Sequence, residues 1–252
     1  VNWSTLVEMR RSPLHYRHRL TTPRPDSPAM ALGRLIHTAV LEPERLDDLY
    51  VPYDGRRGTN AYKDFVAGEA REVISVDDYE KALEVSARVW GHSVARRVLA
   101  RGRVETPITW VDERTHVRCK ARPDHVRGAA LTDLKSSRNI EEREFARTTA
   151  NLAYHGQLAF YRRGLEARSG RPVGAVRIVA VEAEAPHDVA VYRLNEETLD
   201  AGDILVDHLL DELVASRKRG SWPGGYRDET ELGIPAWALP IELFTDEIEV
   251  LS

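Results

Sequence analysis

The sequence predicts an α/β fold: a central mixed β-sheet flanked by helices. Three observations predict it. Helical patterns dominate residues 1–100, three short β-branched segments with turn signals follow within 104–137, and helix and strand patterns then alternate to about residue 219. The 252 residues, 42% hydrophobic and 30% charged, are enough for one substantial core, so a single domain over 1–252 is expected. Its parts are a helical 1–100, a sheet and helix over 101–194, and a C-terminal helix with an acidic tail over 195–252.

"STLVEMRRSPLHYRHRL" reads as two short helices broken at Ser12-Pro13. Ser27 and Pro28 form an N-cap and first-turn pair opening "PAMALGRLIHTAVLEP", a helix that carries His37. "VPYDGRRGTNAYKDF", polar and glycine-bearing, reads as a mobile loop, and a helical pair follows across Val76–Leu99. "VETPITWVDE", "HVRCKARPDHV" and "AALTDLKSS" read as three successive strands. Helix returns at "IEEREFARTTANLAYHGQLAFYRRGLEA". "AVRIVAVEA" and "VAVYRL" make a strand pair, and "EETLDAGDILVDHLLDELVASRKR" a long amphipathic helix with its basic end at the C-terminus, where the helix dipole favours it. The tryptophans Trp3, Trp90, Trp110, Trp222 and Trp237 are scattered and read as core or interface.

A single cysteine, Cys119, excludes a disulfide framework and any all-cysteine metal or iron–sulfur site. No apolar run approaches the roughly 18 residues of a membrane span, and "VNWSTLVEMRRSP" is not a basic-then-apolar leader, so the cytoplasm is the expected compartment. The net charge of −4 conceals segregation. Positions 1–37 hold Arg10, Arg11, Arg17, Arg19, Arg24 and Arg34 against Glu8 and Asp26, whereas Asp200, Asp203, Asp207, Asp211, Glu212 and "TDEIEVLS" load the other end with acid. That pattern suits a polyanion site on one face, and equally an ordinary solvated surface. There is no glycine-rich phosphate loop, His-Glu-x-x-His helix or serine nucleophile elbow.

"RPDHVRGAALTDLKSS" carries the chemistry. Lysine occurs only at Lys63, Lys81, Lys120, Lys135 and Lys218 among 36 Lys+Arg, so arginine is the default cation and Lys135 calls for a reason. On a strand Asp133 and Lys135 share a face while Leu134 points to a core, and the triplet alone is an ordinary salt bridge. Asp124 changes the reading, because a hairpin through "HVRGAAL" brings it beside Asp133. Two carboxylates held together repel, and a divalent cation between them keeps both ionised. Phosphodiester hydrolysis needs a metal to acidify water and cations to offset the developing charge. Lys135, a compact point donor, suits the water better than arginine would.

Pro123-Asp124 with Asp133-Leu134-Lys135 resembles the PD-(D/E)xK nuclease signature. "STLVEMRRSPLHY", "GRLIHTAVLEP" and "HGQLAFY" are similar, in order, to elements of the exodeoxyribonuclease VIII (RecE-type) branch. The resemblance implies a restriction-endonuclease-like core with His37, Asp124, Asp133 and the Leu134 backbone carbonyl around the metal. It further implies Glu105 as a supporting acid and Gln157 and Tyr161 as a Gln-x-x-x-Tyr element near the DNA or the catalytic acids. Gln157 and Tyr161, four apart, share a helix face. Tyr154 reads equally as core packing. Mg²⁺ is the expected ion, with Mn²⁺ able to substitute because histidine is a softer ligand.

The implied activity is digestion of one strand of linear duplex DNA, 5′ to 3′. The implied setting is a ring-like trimer or tetramer working beside a single-strand annealing protein, of phage or prophage origin in a bacterial cytoplasm. Arg10, Arg11, Arg17, Arg19, Arg56, Arg57 and Lys63 are the expected phosphate contacts, whereas Arg122 either contacts phosphate or pairs with an acid. Asp112, Glu113 and Lys120 read as surface. Two rival readings stand beside this one. The first is a repair or defence nuclease acting on single strands or internally; the second is a non-catalytic DNA-binding module in which Asp124, Asp133 and Lys135 are only a salt-bridge cluster.

Overall fold

The computed structural model describes residues 1–23, 25–226, 228–235 and 238. Arg24, Trp237 and the acidic "TDEIEVLS" lie outside the described residues. The chain opens with α1 (Trp3–Leu6), a 3₁₀ turn (Val7–Arg10) and α2 (Pro13–Thr21). Ser12 caps α2, accepting from the His15 N–H, with Pro13 in the first turn. In α3 (Pro28–Leu41) Ser27 accepts from the Met30 N–H, the cap and proline pairing expected from sequence. After α4 (Leu46–Leu49) come β1 (Tyr50–Tyr53), α5 (Asn60–Gly68) and β2 (Glu72–Ser75), then the expected helical pair α6 (Val76–Gly91) and α7 (Ser93–Leu99).

"VPYDGRRGTNAYKDF" is therefore not a loop throughout. Tyr50–Tyr53 pairs in parallel with Glu72–Ser75, and Thr59 caps α5 by accepting from the Tyr62 N–H. The partner of β1 lies beyond α5 in sequence, so four residues containing Pro52 offered no local periodicity to read.

Five strands stand where three were expected: β3 (Arg103–Val104), β4 (Ile108–Val111), β5 (Arg118–Ala121), β6 (His125–Arg127) and β7 (Ala130–Ser137). Turns at Glu105 and Pro123-Asp124 cut the longer segments. The expected single helix is two, α8 (Glu142–Asn151) and α9 (Tyr154–Ser169), separated where buried Ala153 takes a left-handed φ of 55°. β8 (Ala175–Glu182), β9 (Val189–Arg193) and α10 (Glu196–Arg219) complete the fold.

The main sheet has the order β3-β6-β7-β8-β9. β7 and β8 are parallel and the other pairs antiparallel, so the sheet is mixed as expected. Parallel neighbours need a long crossover, which α8 and α9 supply. Gly128, at φ 56°, makes the tight β6–β7 turn that only glycine adopts without strain. Alternate residues of β7 and β8 feed two cores. Leu131, Val176 and Ile178 pack under α9 and α10, and Leu134, Val179 and Val181 under α3 and α6.

α9 and α10 lie so close that a Cβ on Gly202 would stand 2.5 Å from the His155 carbonyl oxygen. Arg162 and Arg163 pair with Asp203, and Arg163 and Arg114 with Asp207, while Arg114 also engages Asp211. Much of the acidic stripe on α10 is thus neutralised within the fold. Asp112, expected at the surface, is buried and accepts from the Thr115 N–H and hydroxyl. No helix among the described residues is long and apolar enough to cross a membrane.

Trp3, Trp110 and Phe160 form one aromatic group, with the Phe160 ring fully buried 6.0 Å from Trp3 and 4.8 Å from Trp110. Phe160→Ala should lower the unfolding free energy by about 3–5 kcal/mol in urea titrations with an unchanged slope. A loss below about 1 kcal/mol would show that this cluster is not the core of the helical face.

Candidate active site

β6 covers β7 only from Ala130 to Thr132, although β7 runs on to Ser137. Beyond Thr132 that edge of β7 has no strand partner, so its backbone groups must find side chains. The Leu134 N–H donates to Asp124 Oδ2 at 2.8 Å, and His37 Nε2 lies 2.7 Å from the Leu134 carbonyl oxygen. A carbonyl only accepts, so Nε2 carries the proton and the Nδ1 lone pair faces Asp124 Oδ2 at 3.6 Å. The sheet gap thus brings α3, the β6 hairpin and the β7 backbone to one point.

Glu105, just after β3, joins them. Its N–H donates to the Asp124 carbonyl at 3.0 Å, and it holds a strained φ of 47°. One ligand atom each from His37, Glu105 and Asp124 lies within 4.8 Å of the others. An imidazole and two carboxylates suit Mn²⁺ or Mg²⁺, and a neutral Nδ1 is what a metal requires.

Asp133 sits deeper. It is fully buried, with the Lys135 ammonium against it and the Asp124 carboxyl close by. Lys135 in turn lies 4.8 Å from the centre of the Tyr154 ring. Gln157 donates to the Tyr161 hydroxyl at 2.9 Å, and both line a groove of about 570 Å³ with His37, Glu105, Asp124 and Arg122. Trp3 and Lys120 also line it, a placement that sequence reasoning missed for both.

A family model described as a PDDEXK-like domain of unknown function (DUF3799) matches residues 2–229. The chain belongs to this PDDEXK-like family. A crystal structure of a candidate exonuclease from Eubacterium rectale is similar, with a TM-score of 0.66 at 14% identity over 97% of this chain and 92% of that one. That likeness shows a shared fold. An alkaline exonuclease from Laribacter hongkongensis aligns at a TM-score of only 0.29 and 14% identity, over 74% of this chain and 97% of that one. No curated protein matches at a significant level. The PDDEXK-like assignment agrees with the restriction-endonuclease-like core and the motif on which it was expected.

In this PDDEXK-like site Asp133 and Lys135 share the face of β7 opposite Leu134, as the strand period required, and Asp124 stands beside them through the hairpin. Arg122 pairs with Glu105 at 2.5 Å and its side chain remains exposed. The proposed phosphate contacts divide. Arg10, Arg11 and Arg19 share a concavity of about 740 Å³ with His15 and His18. Arg17 instead lies over the Trp222 ring, 5.7 Å from its centre. Arg56, Arg57 and Lys63 are exposed around the start of α5, with Arg57 3.8 Å from Asp78. Tyr154, whose reading the sequence left open, lies against Lys135. Its signal was positional, since it precedes Gln157 by three and shares its helix face.

Burial and the nearby Asp124 push the Glu105 carboxyl up to about 7, against Arg122. Burial and Asp124 also raise Asp133, against Lys135. Burial opposes the Lys135 charge, but Asp133 and Asp124 outweigh it and hold the ammonium above the usual lysine range. Burial lowers the His37 imidazole, favouring its neutral form, although Asp124 works the other way.

Between the ordinary glutamate value of 4.5 and about 7, folded Glu105 keeps a proton that the unfolded chain has released. Its contribution to stability therefore declines as pH rises through that window. In metal-free urea titrations, Glu105→Gln should gain stability relative to wild type from about pH 5 to about pH 7.5, and millimolar Mg²⁺ should stabilise wild type more than the variant. Parallel pH profiles would show that Glu105 carries no raised proton affinity.

Proposed function

We propose that this chain is a divalent-metal-dependent DNA exonuclease hydrolysing phosphodiester bonds in one strand of linear duplex DNA, 5′ to 3′. The observation that carries the reading is the convergence of His37, Glu105 and Asp124 beside the Asp133–Lys135 pair at an open strand edge. The PDDEXK-like family, and the exonuclease description of the Eubacterium rectale relative, support it. Mg²⁺, with Mn²⁺ as substitute, would be held by His37, Asp124, Asp133 and the Leu134 carbonyl, with Glu105 beside them. When bound, it supplies the acidity that makes water nucleophilic at neutral pH and charge to offset the developing phosphorane.

The chain's own residues do the rest. Lys135 orients the attacking water and adds positive charge, and Asp133 keeps its ammonium in place. Gln157 and Tyr161 present one helix face to the groove. Arg122 sits at the rim, held by Glu105. Arg10, Arg11 and Arg19, with Arg56, Arg57 and Lys63 across the body, would neutralise phosphates without reading bases, as an enzyme passing over every step requires. We further propose action at duplex ends, a ring-like homo-oligomer of three or four copies, and a single-strand annealing protein as partner. These finer features rest on the RecE-type resemblance, as does a phage or prophage origin.

Blunt linear duplex labelled at either end tests the reading. With Mg²⁺ the 5′ label should leave as mononucleotides, and with EDTA nothing should be released. Asp133→Asn and Lys135→Ala should each lower the rate about a thousandfold or more. Internal nicks, or preference for single strands, would favour the repair or defence alternative. Metal-independent binding without product would favour the non-catalytic module. Arg11→Ala should weaken duplex binding alike for all sequences and reduce the slope of log Kd against log salt by about one unit. An unchanged slope would remove the basic concavity from the DNA path.

A further inference from the structure

We propose that Tyr154 is a positioning residue for the reaction, its ring face holding the Lys135 ammonium against Asp133 where it meets the attacking water. This rests on the nuclease reading above. Lys135 is a flexible four-carbon chain at an open strand edge, and an ammonium free to rotate there would spend much of its time hydrated away from the reacting atoms. Two groups confine it. The Asp133 carboxylate touches it, and the Tyr154 ring centre lies 4.8 Å from Nζ. A cation at that distance from a ring is attracted by the negative face of the π system, and the attraction strengthens as water is excluded. The Lys135 side chain is only 14% exposed, so it is well out of water.

The ring is itself fixed. Phe145 of α8 stands behind it at 6.5 Å, and Phe145 stacks on Tyr192 of β9 at 5.3 Å with planes 19° apart. Ala153 adds backbone control. A buried non-glycine residue at φ 55° breaks α8 from α9 and starts the new helix at Tyr154. The first turn of α9 thus presents Tyr154 to Lys135, and the following turn presents Gln157 and Tyr161 to the groove. An ordinary core tyrosine would pack on apolar side chains alone. This one spends its face on the ammonium that the chemistry uses.

The chain's five lysines make the contact directly measurable. In full-length protein carrying ¹³C-labelled lysine, a ring above the side-chain end should shift one ε-methylene proton signal upfield. Lys135→Ala should abolish that signal and assign it. Tyr154→Leu should return it to the ordinary range, whereas Tyr154→Phe, which keeps the ring, should leave it shifted. With linear duplex and Mg²⁺, Tyr154→Leu should lower kcat about tenfold with KM within about twofold, and Tyr154→Phe should stay within about twofold of wild type in both. Tyr154→Met serves the same comparison should the leucine variant fail to fold.

Wild-type kcat in Tyr154→Leu, an equal loss in Tyr154→Phe, or no upfield lysine signal overturns the proposal. A wild-type protein that shows the signal but releases no nucleotide overturns instead the nuclease reading, and the positioning role of Tyr154 falls with it.

Discussion

One hydrogen bond organises the site: the Leu134 N–H donating to Asp124 Oδ2 at 2.8 Å. It forms because β6 stops short and leaves five of the eight residues of β7 without a strand on that side. In an extended strand the N–H and carbonyl of one residue point the same way, so the carbonyl of Leu134 meets His37 on the edge where its N–H meets Asp124. A backbone need, two groups to be satisfied, thereby draws an imidazole and a carboxylate together. Glu105 joins them because its own N–H is tied to the Asp124 carbonyl.

That arrangement opposes stability. Glu105, Asp124 and the fully buried Asp133 crowd together, and each raises the proton affinity of a neighbour or has its own raised. Lys135 and Arg122 offset the charge at close range. Glu105 in the site, and Ala153 next to Tyr154, also sit in the left-handed backbone region that non-glycine residues avoid. The two cores above and below the sheet supply the excess stability that lets such a site persist.

Charge segregation along the chain becomes something different in three dimensions. The acids of α10 are largely spent on Arg162, Arg163 and Arg114, so that stripe holds helices together more than it repels a ligand. Arginines near the N-terminus, by contrast, gather around an open concavity walled by Asn151 and Leu152, immediately before Ala153 and Tyr154. Basic surface and candidate chemistry are thereby neighbours through the α8–α9 break.

The sequence by itself determined the mixed sheet and its helices, the break before α2, the cap of α3, and the shared face of Asp133 and Lys135. Each follows from a local rule: a period of two or of 3.6 residues, a capping serine, a tight turn at glycine. Tertiary structure alone decided the pairing of β1 with β2, the break at Ala153 and the Tyr154 contact with Lys135. Those depend on where a distant strand ends or which ring lies across a gap, and no local period encodes either. His37 stands between the two cases. Its place on a helix was legible, but its meeting with the Leu134 carbonyl, 97 residues away, needed the open edge of β7 to exist.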